Sequence, residues 1–457
     1  MNRIVAISTL ALALAARARP AAADRLTFDA VVDIALSDSP DLAIANVAVS
    51  AANTHLESTR ALYWPRVSVD GNALMWGSDI AFDIPVPCAD DPATPANECP
   101  MGVALQSVTV RDRVTANAKV TATQGITPLW VIAEMVDADE AAVAVAEAER
   151  ATARLEVAYR AAEGYVRLLQ AQAARSIAET GVAQLEAHLE RARALHDGGV
   201  LERVDVMRIE AALAEARQRA IAAARGVGIA RDALIFTLGL ARDADVDIAD
   251  DLPATPPPPP ALDGGAVDDA AEHRPEVAAT RQRVAQARAA ARIEQLQRLP
   301  RVYAVATYQR TEGGGTFQAA DDWFVGVTLQ WDAWDWGHQR KRAAAAALDA
   351  ERAKLAAARH RDRVRLEIAR AAADARSAYG AVAVAAAGLT AAEEAFRIRR
   401  ERFDAGALTA TDLLDAETEV TRARLGYASA RYDYYLALVA LARATGRLPG
   451  PFVTGGK

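Results

Sequence analysis

Carboxylates are the residues whose spacing says most about chemistry in this chain. Asp412 and Asp415 follow Thr409 closely, and Asp205 holds the matching place 207 residues earlier. A threonine with an acid three positions later is a box-like helix start, in which hydroxyl and carboxylate meet the first backbone N–H groups at the positive helix end. That pattern accounts for Asp412. It works less well for Asp205, where Glu202 replaces the threonine, and it does not explain Asp415, nearly one turn further in on a similar face. Cys88 and Cys99, the only cysteines, lie in a Pro-rich loop with ten residues between them, and in an oxidising compartment a local disulfide is the natural expectation. Other chemistry is missing. His55, His188, His196, His273, His338 and His360 form no ligand cluster. Gly313 to Gly315 lacks a P-loop lysine and fits a hairpin turn. The five methionines are scattered and make no copper path. No enzyme, metal or cofactor is implied, and a formal charge of −8 argues against general affinity for nucleic acid.

The elements that must position the acids come next. Alanine and arginine dominate and aromatics make up only 5%, a profile of long helices and coiled coils. Residues 1–23 read as a secretory signal: a positive start, an apolar core from Ile4 to Ala16, and small residues from Ala21 to Ala23. Cleavage there would remove Arg3, Arg17 and Arg19 and no acid, taking the charge from −8 to −11. No later run is long and apolar enough to cross a bilayer as a helix. Neither cysteine sits where a lipid anchor would.

The chain is duplicated. "HDGGVLERVDVMRIE" (His196 to Glu210) and "FDAGALTATDLLDAE" (Phe403 to Glu417) are two versions of one helix break, and an offset of 207 superposes Val120 to Gly239 on Val327 to Gly446. Earlier residues repeat with offset 235, pairing the "PRV" at Pro65 with that at Pro300, so the first half carries 28 extra residues between Val67 and Val120. The expected plan is repeat 1 over 24–250, a Pro-rich linker over 251–262, repeat 2 over 263–446 and a tail over 447–457. Five consecutive prolines should make the linker a stiff polyproline segment.

Periodicity predicts helices from about Phe28 to Tyr63, Trp130 to His196 and Val204 to Leu240, mirrored by Val267 to Arg298, Gly337 to Phe403 and Asp412 to Ala444. A helix of about 67 residues is roughly 100 Å long, close to the combined length of the two shorter helices of each half. The return helices carry a heptad seam: Ile209, Leu213, Ala216, Ala220, Ala223, Val227, Ala230 and Leu234, repeated as Ala416, Val420, Ala423, Tyr427, Ala430, Tyr434, Ala437 and Leu441.

Each half also has two segments of period two. The clearest is Trp323 to Trp331, with Trp323, Val325, Val327, Leu329 and Trp331 on one face. An apolar row with a tryptophan at each end spans about 26 Å at ~3.3 Å per residue, which matches the apolar band and aromatic girdles of an outer-membrane barrel. Val114 to Thr123, Arg66 to Leu74 and Arg301 to Gln309 supply three more strands. All seven tryptophans, including Trp334 and Trp336, lie in or flank these segments. Four strands cannot close a barrel around a pore, so the strand count predicts an oligomer; three copies give twelve strands.

These features resemble the TolC family of outer-membrane efflux proteins. The resemblance covers about Leu26 to Gly446 and rests on the duplication, the "PRV" strand starts and, most specifically, "AGALTATDLLDAE". It implies a mainly α fold with a β-barrel part. Each protomer would contribute four transmembrane β-strands and a coiled-coil helical barrel, and a homotrimer would form a twelve-stranded barrel in outer-membrane lipid. It also implies a passive duct of tripartite efflux or type I secretion, working with a periplasmic adaptor and an inner-membrane transporter. Carried over residue by residue, Gly199, Val200, Leu201, Gly406, Ala407 and Leu408 become adaptor-docking turns. Asp412 and Asp415 become acidic rings at the periplasmic entrance, and Asp205 a group that helps hold it closed. The sequence departs from the family at Phe403, where a tyrosine is usual, and at Leu408, where an arginine is. Phe403 has no hydroxyl to give Asp205, so the closed state must be latched differently. A periplasmic coiled-coil adaptor or a structural coiled coil is the alternative; the former needs only one hairpin and no lipid-facing strands, and the latter would lack the tryptophan rows.

Overall fold

The computed structural model describes residues 25–87 and 103–450. The expected signal segment, Cys88 and Cys99, and residues 451–457 lie outside the described residues. In chain order the elements are α1 (Phe28–Asp38), α2 (Pro40–Ala61), β1 (Arg66–Met75), β2 (Ile80–Pro87), β3 (Val103–Arg111), β4 (Val114–Gly125), α3 (Pro128–Asp197) and α4 (Arg203–Thr237). The second half follows as α5 (Gly264–Glu272), α6 (Pro275–Leu296), β5 (Arg301–Glu312), β6 (Asp321–Gln330), α7 (His338–Asp404) and α8 (Ala410–Ala444).

The long helices α3 and α7 run unbroken for 70 and 67 residues. Strong helix formers and the absence of interior proline permit this. Exposed pairs such as Arg167–Glu163 at 2.6 Å and Arg175–Glu179 at 2.7 Å add small increments along their surfaces.

Two expected helices are each divided. The segment expected from Phe28 to Tyr63 breaks between α1 and α2, and the one expected from Val267 to Arg298 breaks between α5 and α6. Pro40 and Pro275 cause both breaks. A proline ring forces the residue before it out of the helical region, and Ser39 and Arg274 sit at ψ 124° and 132°. Each proline then opens a new helix, where its missing N–H is of no consequence. The breaks are 235 residues apart, so this interruption is itself duplicated.

The chain divides into two compact units. The first contains described residues 25–42, 154–267 and 367–450. Both heptad seams are inward-facing there: none of their sixteen residues is exposed. One core cluster joins Phe28, Val31, Tyr165, Leu168, Leu234 and Tyr435, with the Phe28 and Tyr165 rings edge to face at 5.6 Å. The linker is held onto this core by its carbonyls. Tyr434 and Tyr435 donate to Pro257 O and Pro253 O, each at 2.5 Å, and Arg431 donates to Leu252 O at 3.0 Å. Tyr165 donates to Ala249 O and to Asp251 Oδ1. Burial, then Asp251, pushes the Tyr165 hydroxyl far above its ordinary range.

The second unit, residues 43–153 and 268–366, contains the sheet. Its order is β1-β4-β5-β6, antiparallel throughout. These strands cover the four period-two segments read from the sequence, but with β2 and β3 the described residues hold six strands and not four. The separate β2–β3 pair is a correction, because the sequence reading leaves part of the 28-residue insertion as loop. Ile80, Phe82, Ile84 and Val86 alternate there, but Pro85 and Pro87 argue against a central strand. A two-stranded ribbon has only edges, and so tolerates them. Gly313 to Gly315 does lie in the connection from β5 to β6. A Cβ on Gly315 would come within 2.4 Å of the Val110 backbone, so only glycine fits.

Candidate functional site

Two surfaces stand out, one in each unit. The first is the pair of hairpin turns, α3 to α4 and α7 to α8. Both turns close the same way. Gly199 donates to His196 O and Val200 to Leu195 O, both at 2.9 Å; Gly406 donates to Phe403 O and Ala407 to Arg402 O, also at 2.9 Å. This is the Schellman arrangement, in which a left-handed glycine lets the last carbonyls of a helix find donors. Gly199 and Gly406 have φ of 75° and 74°. The apolar steps divide by burial. Val200 and Ala407 are exposed, whereas Leu201 and Leu408 pack onto a core of Leu185, Leu189, Phe396, Phe403, Leu413 and Val420.

Phe403 is fully buried in that core. Its ring is part of the packing of that core. The helix start at α8 is the expected one: Thr409 accepts from Asp412 N at 3.2 Å and donates to Asp412 Oδ2 at 2.6 Å. Asp412 and Asp415 are both exposed. The α4 start differs, since Glu202 makes no side-chain cap. Asp205 instead pairs with Arg208 at 3.3 Å. Arg208 also donates to Thr411 Oγ1 at 3.2 Å, so one arginine ties the first hairpin to the second. A second tie runs from Arg191 on α3 to Asp404 O, at 2.7 Å.

Sequence reasoning passed over Arg208, Arg191, His188 and Glu417. For His188 a signal existed: it follows Leu185 by three residues and precedes Ala192 by four, so it lies on the buried stripe of α3. For Glu417 the signal was its place as the last residue of the repeated motif, beside Ala416 of the seam.

The second surface is the four-stranded sheet. Its register aligns Val69, Val120, Tyr308 and Trp323 across the strands, and Val67, Ala122, Ala306 and Val325 in the next row. All four apolar rows therefore share one face. On the other, Ser68, Thr121 and Thr307 align, Thr121 and Thr307 hydrogen-bond at 3.3 Å, and Asn117 donates to Thr311 at 2.9 Å. On the apolar face of β6, Trp323, Val325, Val327 and Leu329 are 64–72% exposed. A soluble sheet hides such a row; here it is offered outward. Trp331, Trp334 and Trp336 are exposed just beyond β6, the last two edge to face at 5.7 Å. Among the described residues, the outer edges of β1 and β6 pair with no strand.

No cluster of metal-ligating side chains occurs among the described residues. The model of the outer membrane efflux protein family matches residues 31–240 and 266–447, one stretch for each repeat. The chain belongs to the outer membrane efflux protein family. Members of this family are ducts, not enzymes. Solved structures agree on the fold. The outer-membrane channel OprN is 22% identical, with 92% of this chain and 89% of that chain covered, at a TM-score of 0.75. The CmeC outer membrane channel of Campylobacter jejuni is 15% identical, with 92% and 85% covered, at 0.73. The open state of the MtrE outer membrane channel of Neisseria gonorrhoeae is 20% identical, with 92% and 89% covered, at 0.73. No curated protein matches the sequence significantly.

Proposed function

We propose that the chain is the outer-membrane exit duct of a tripartite efflux or type I secretion system, exported by its N-terminal leader and active as a homotrimer. The observation that carries this reading is the sheet. Its four strands place their apolar rows on one exposed face and leave both edges open. Water is a poor solvent for that face, and each Val or Leu taken out of it contributes about 1.5–3 kcal/mol. Lipid satisfies the face; neighbouring copies, pairing β6 with β1, satisfy the edges. Three copies close twelve strands around the polar face, which becomes the lumen wall.

The hairpin turns are the periplasmic end. Val200 and Ala407, exposed on rigid Schellman turns, are the contacts for an adaptor that bridges to an inner-membrane transporter. Gly199 and Gly406 hold the turns, while Leu201 and Leu408 anchor them to the core beneath. Asp412 and Asp415, repeated by threefold symmetry, form acidic rings at the entrance that favour cations. Trp323, Trp331, Trp334 and Trp336 belong to the aromatic girdle. A periplasmic adaptor or a structural coiled coil is not favoured, since neither accounts for a sheet with this face.

Membrane fractionation and cross-linking test the reading. The trimer should be heat-sensitive and recovered with the outer membrane, and one cysteine on β1 combined with one on β6 should link neighbouring copies into a trimer that survives heating until reductant is added. Recovery in the soluble periplasmic fraction, with no trimer, would sink it.

A further inference from the structure

We infer that Glu417 is a two-position latch between the hairpins: turned inward to His188 it holds the second hairpin against α3, and turned outward to Arg400 it releases it. The inference rests on the duct reading, because only a duct has an entrance to close.

The duplication itself displays the second position. Glu417 corresponds to Glu210 and Arg400 to Arg193, each pair at the offset of 207. In the first hairpin the pair is formed at the surface, Arg193 Nη2 to Glu210 Oε1, at 2.6 Å. In the second hairpin it is split. Arg400 forms no ion pair among the described residues, and its guanidinium lies 6.0 Å from the Phe396 ring. Glu417 is only 4% exposed, and neither of its oxygens accepts a hydrogen bond among the described residues. Its facing group is His188 Nε2 at 3.7 Å, within ion-pair range but too far for a hydrogen bond.

A carboxylate enclosed this way is poorly solvated, and charges held inside a protein without hydrogen bonds are costly. What keeps Glu417 inward is the packing around it. Leu413, Ala416 and Val420 on the same face of α8 are all buried in the tip core. The seam therefore pulls Glu417 in, while its own desolvation pushes it out. The two tendencies oppose each other at this one side chain. His188 exists in one hairpin only, since its counterpart is Ala395, so the inward seat has no equivalent in the other half.

The repeat, and not a shared cavity, identifies the outward seat. His188, Arg191, Phe396, Arg400 and Asp404 line one cavity, and Glu417 lines another with Glu215 and Arg219 of α4. Arg191 is already engaged by Asp404 O. Arg400 is the cation that the repeat assigns to this glutamate, and Arg219 serves as the control.

Single-channel recording of the purified trimer in planar bilayers tests the latch. His188→Leu leaves Glu417 without an inward partner and should raise occupancy of the wide conductance state roughly tenfold; Arg400→Ala removes the outward partner and should lower it by a similar factor. Arg219→Ala should change neither. In a Glu417→Leu background, His188→Leu should add nothing. Each variant is first checked for the heat-sensitive trimer, and His188→Met replaces His188→Leu if that one fails to assemble. Shifts of the same sign from His188→Leu and Arg400→Ala, or a His188→Leu effect that survives in Glu417→Leu, would overturn the latch alone. A wild-type trimer that never conducts overturns the duct and the latch together.

Discussion

Alanine in place of glycine should act in opposite directions at two places along the hairpins. At Gly406 the backbone is left-handed, φ 74°, which costs an L-residue about 1–2 kcal/mol. Fewer unfolded conformations return about 0.4–1 kcal/mol of that. The new Cβ would also lie 3.2 Å from Val200 Cγ1, a contact tighter than ordinary packing allows. The turn should therefore weaken by roughly 1–1.5 kcal/mol. Gly199 has the same φ to within a degree but open space around it, so its net cost is only about 0.5–1 kcal/mol. Gly226, in the interior of α4 with nothing within 4 Å of an added Cβ, should instead gain about 0.5–1 kcal/mol as alanine. Hydrogen exchange reads this directly at the amides of Ala407 and Val200, whose bonds close the two turns. Every 1.4 kcal/mol is about tenfold, so protection at Ala407 should fall about five- to tenfold in Gly406→Ala. Protection at Val200 should fall about threefold in Gly199→Ala, while amides around Gly226 slow down in Gly226→Ala. Unchanged protection at Ala407, or loss of protection around Gly226, would refute the conformational argument for the turns.

Three further outcomes are expected. Replacing both Asp412 and Asp415 by alanine should lower the cation preference of the channel in planar bilayers, and unchanged ion selectivity would reject them as the ring. Tyr165→Phe removes the hydroxyl that binds Ala249 O and Asp251 and should destabilise the first unit by about 1–3 kcal/mol, seen as an earlier thermal transition of the trimer. Alkali should loosen the same unit. Burial pushes the Tyr432 and Tyr435 hydroxyls up from 10.0 to about 12, so the fold favours their neutral forms; that stability is complete below pH 10 and is lost as pH rises towards 12. Tyrosinate absorbance and helix content followed together should show ionisation coinciding with loosening of the linker, and Tyr432→Phe should shift that transition to higher pH.

Much of this architecture is local and so could be read from the chain directly. Helical seams and strand alternation repeat over a few residues, and the side chains at Ile209, Leu213 and Leu234, or at Val325 and Val327, obey those periods before any partner arrives. Gly199 and Gly406 likewise announce their turns, because a left-handed helix end is a property of the residue itself. The proline breaks at Pro40 and Pro275 are just as local. Periodicity hides them, because the helical pattern continues on both sides of each proline.

What tertiary structure alone decided depends on partners distant in the chain. Each strand shows its own apolar row, but only the hydrogen-bond register brings Val69, Val120, Tyr308 and Trp323 to one face. The linker reads only as a stiff polyproline segment, and what it packs against appears when Tyr434, Tyr435 and Arg431 take its carbonyls. Glu210 and Glu417 stand at the same place in nearly the same words, yet one is exposed beside Arg193 and the other is buried beside His188. Sequence determines that both are glutamates on the same turn of a return helix. Their environments differ because the two hairpins meet unlike neighbours, and a buried charge is defined by what surrounds it.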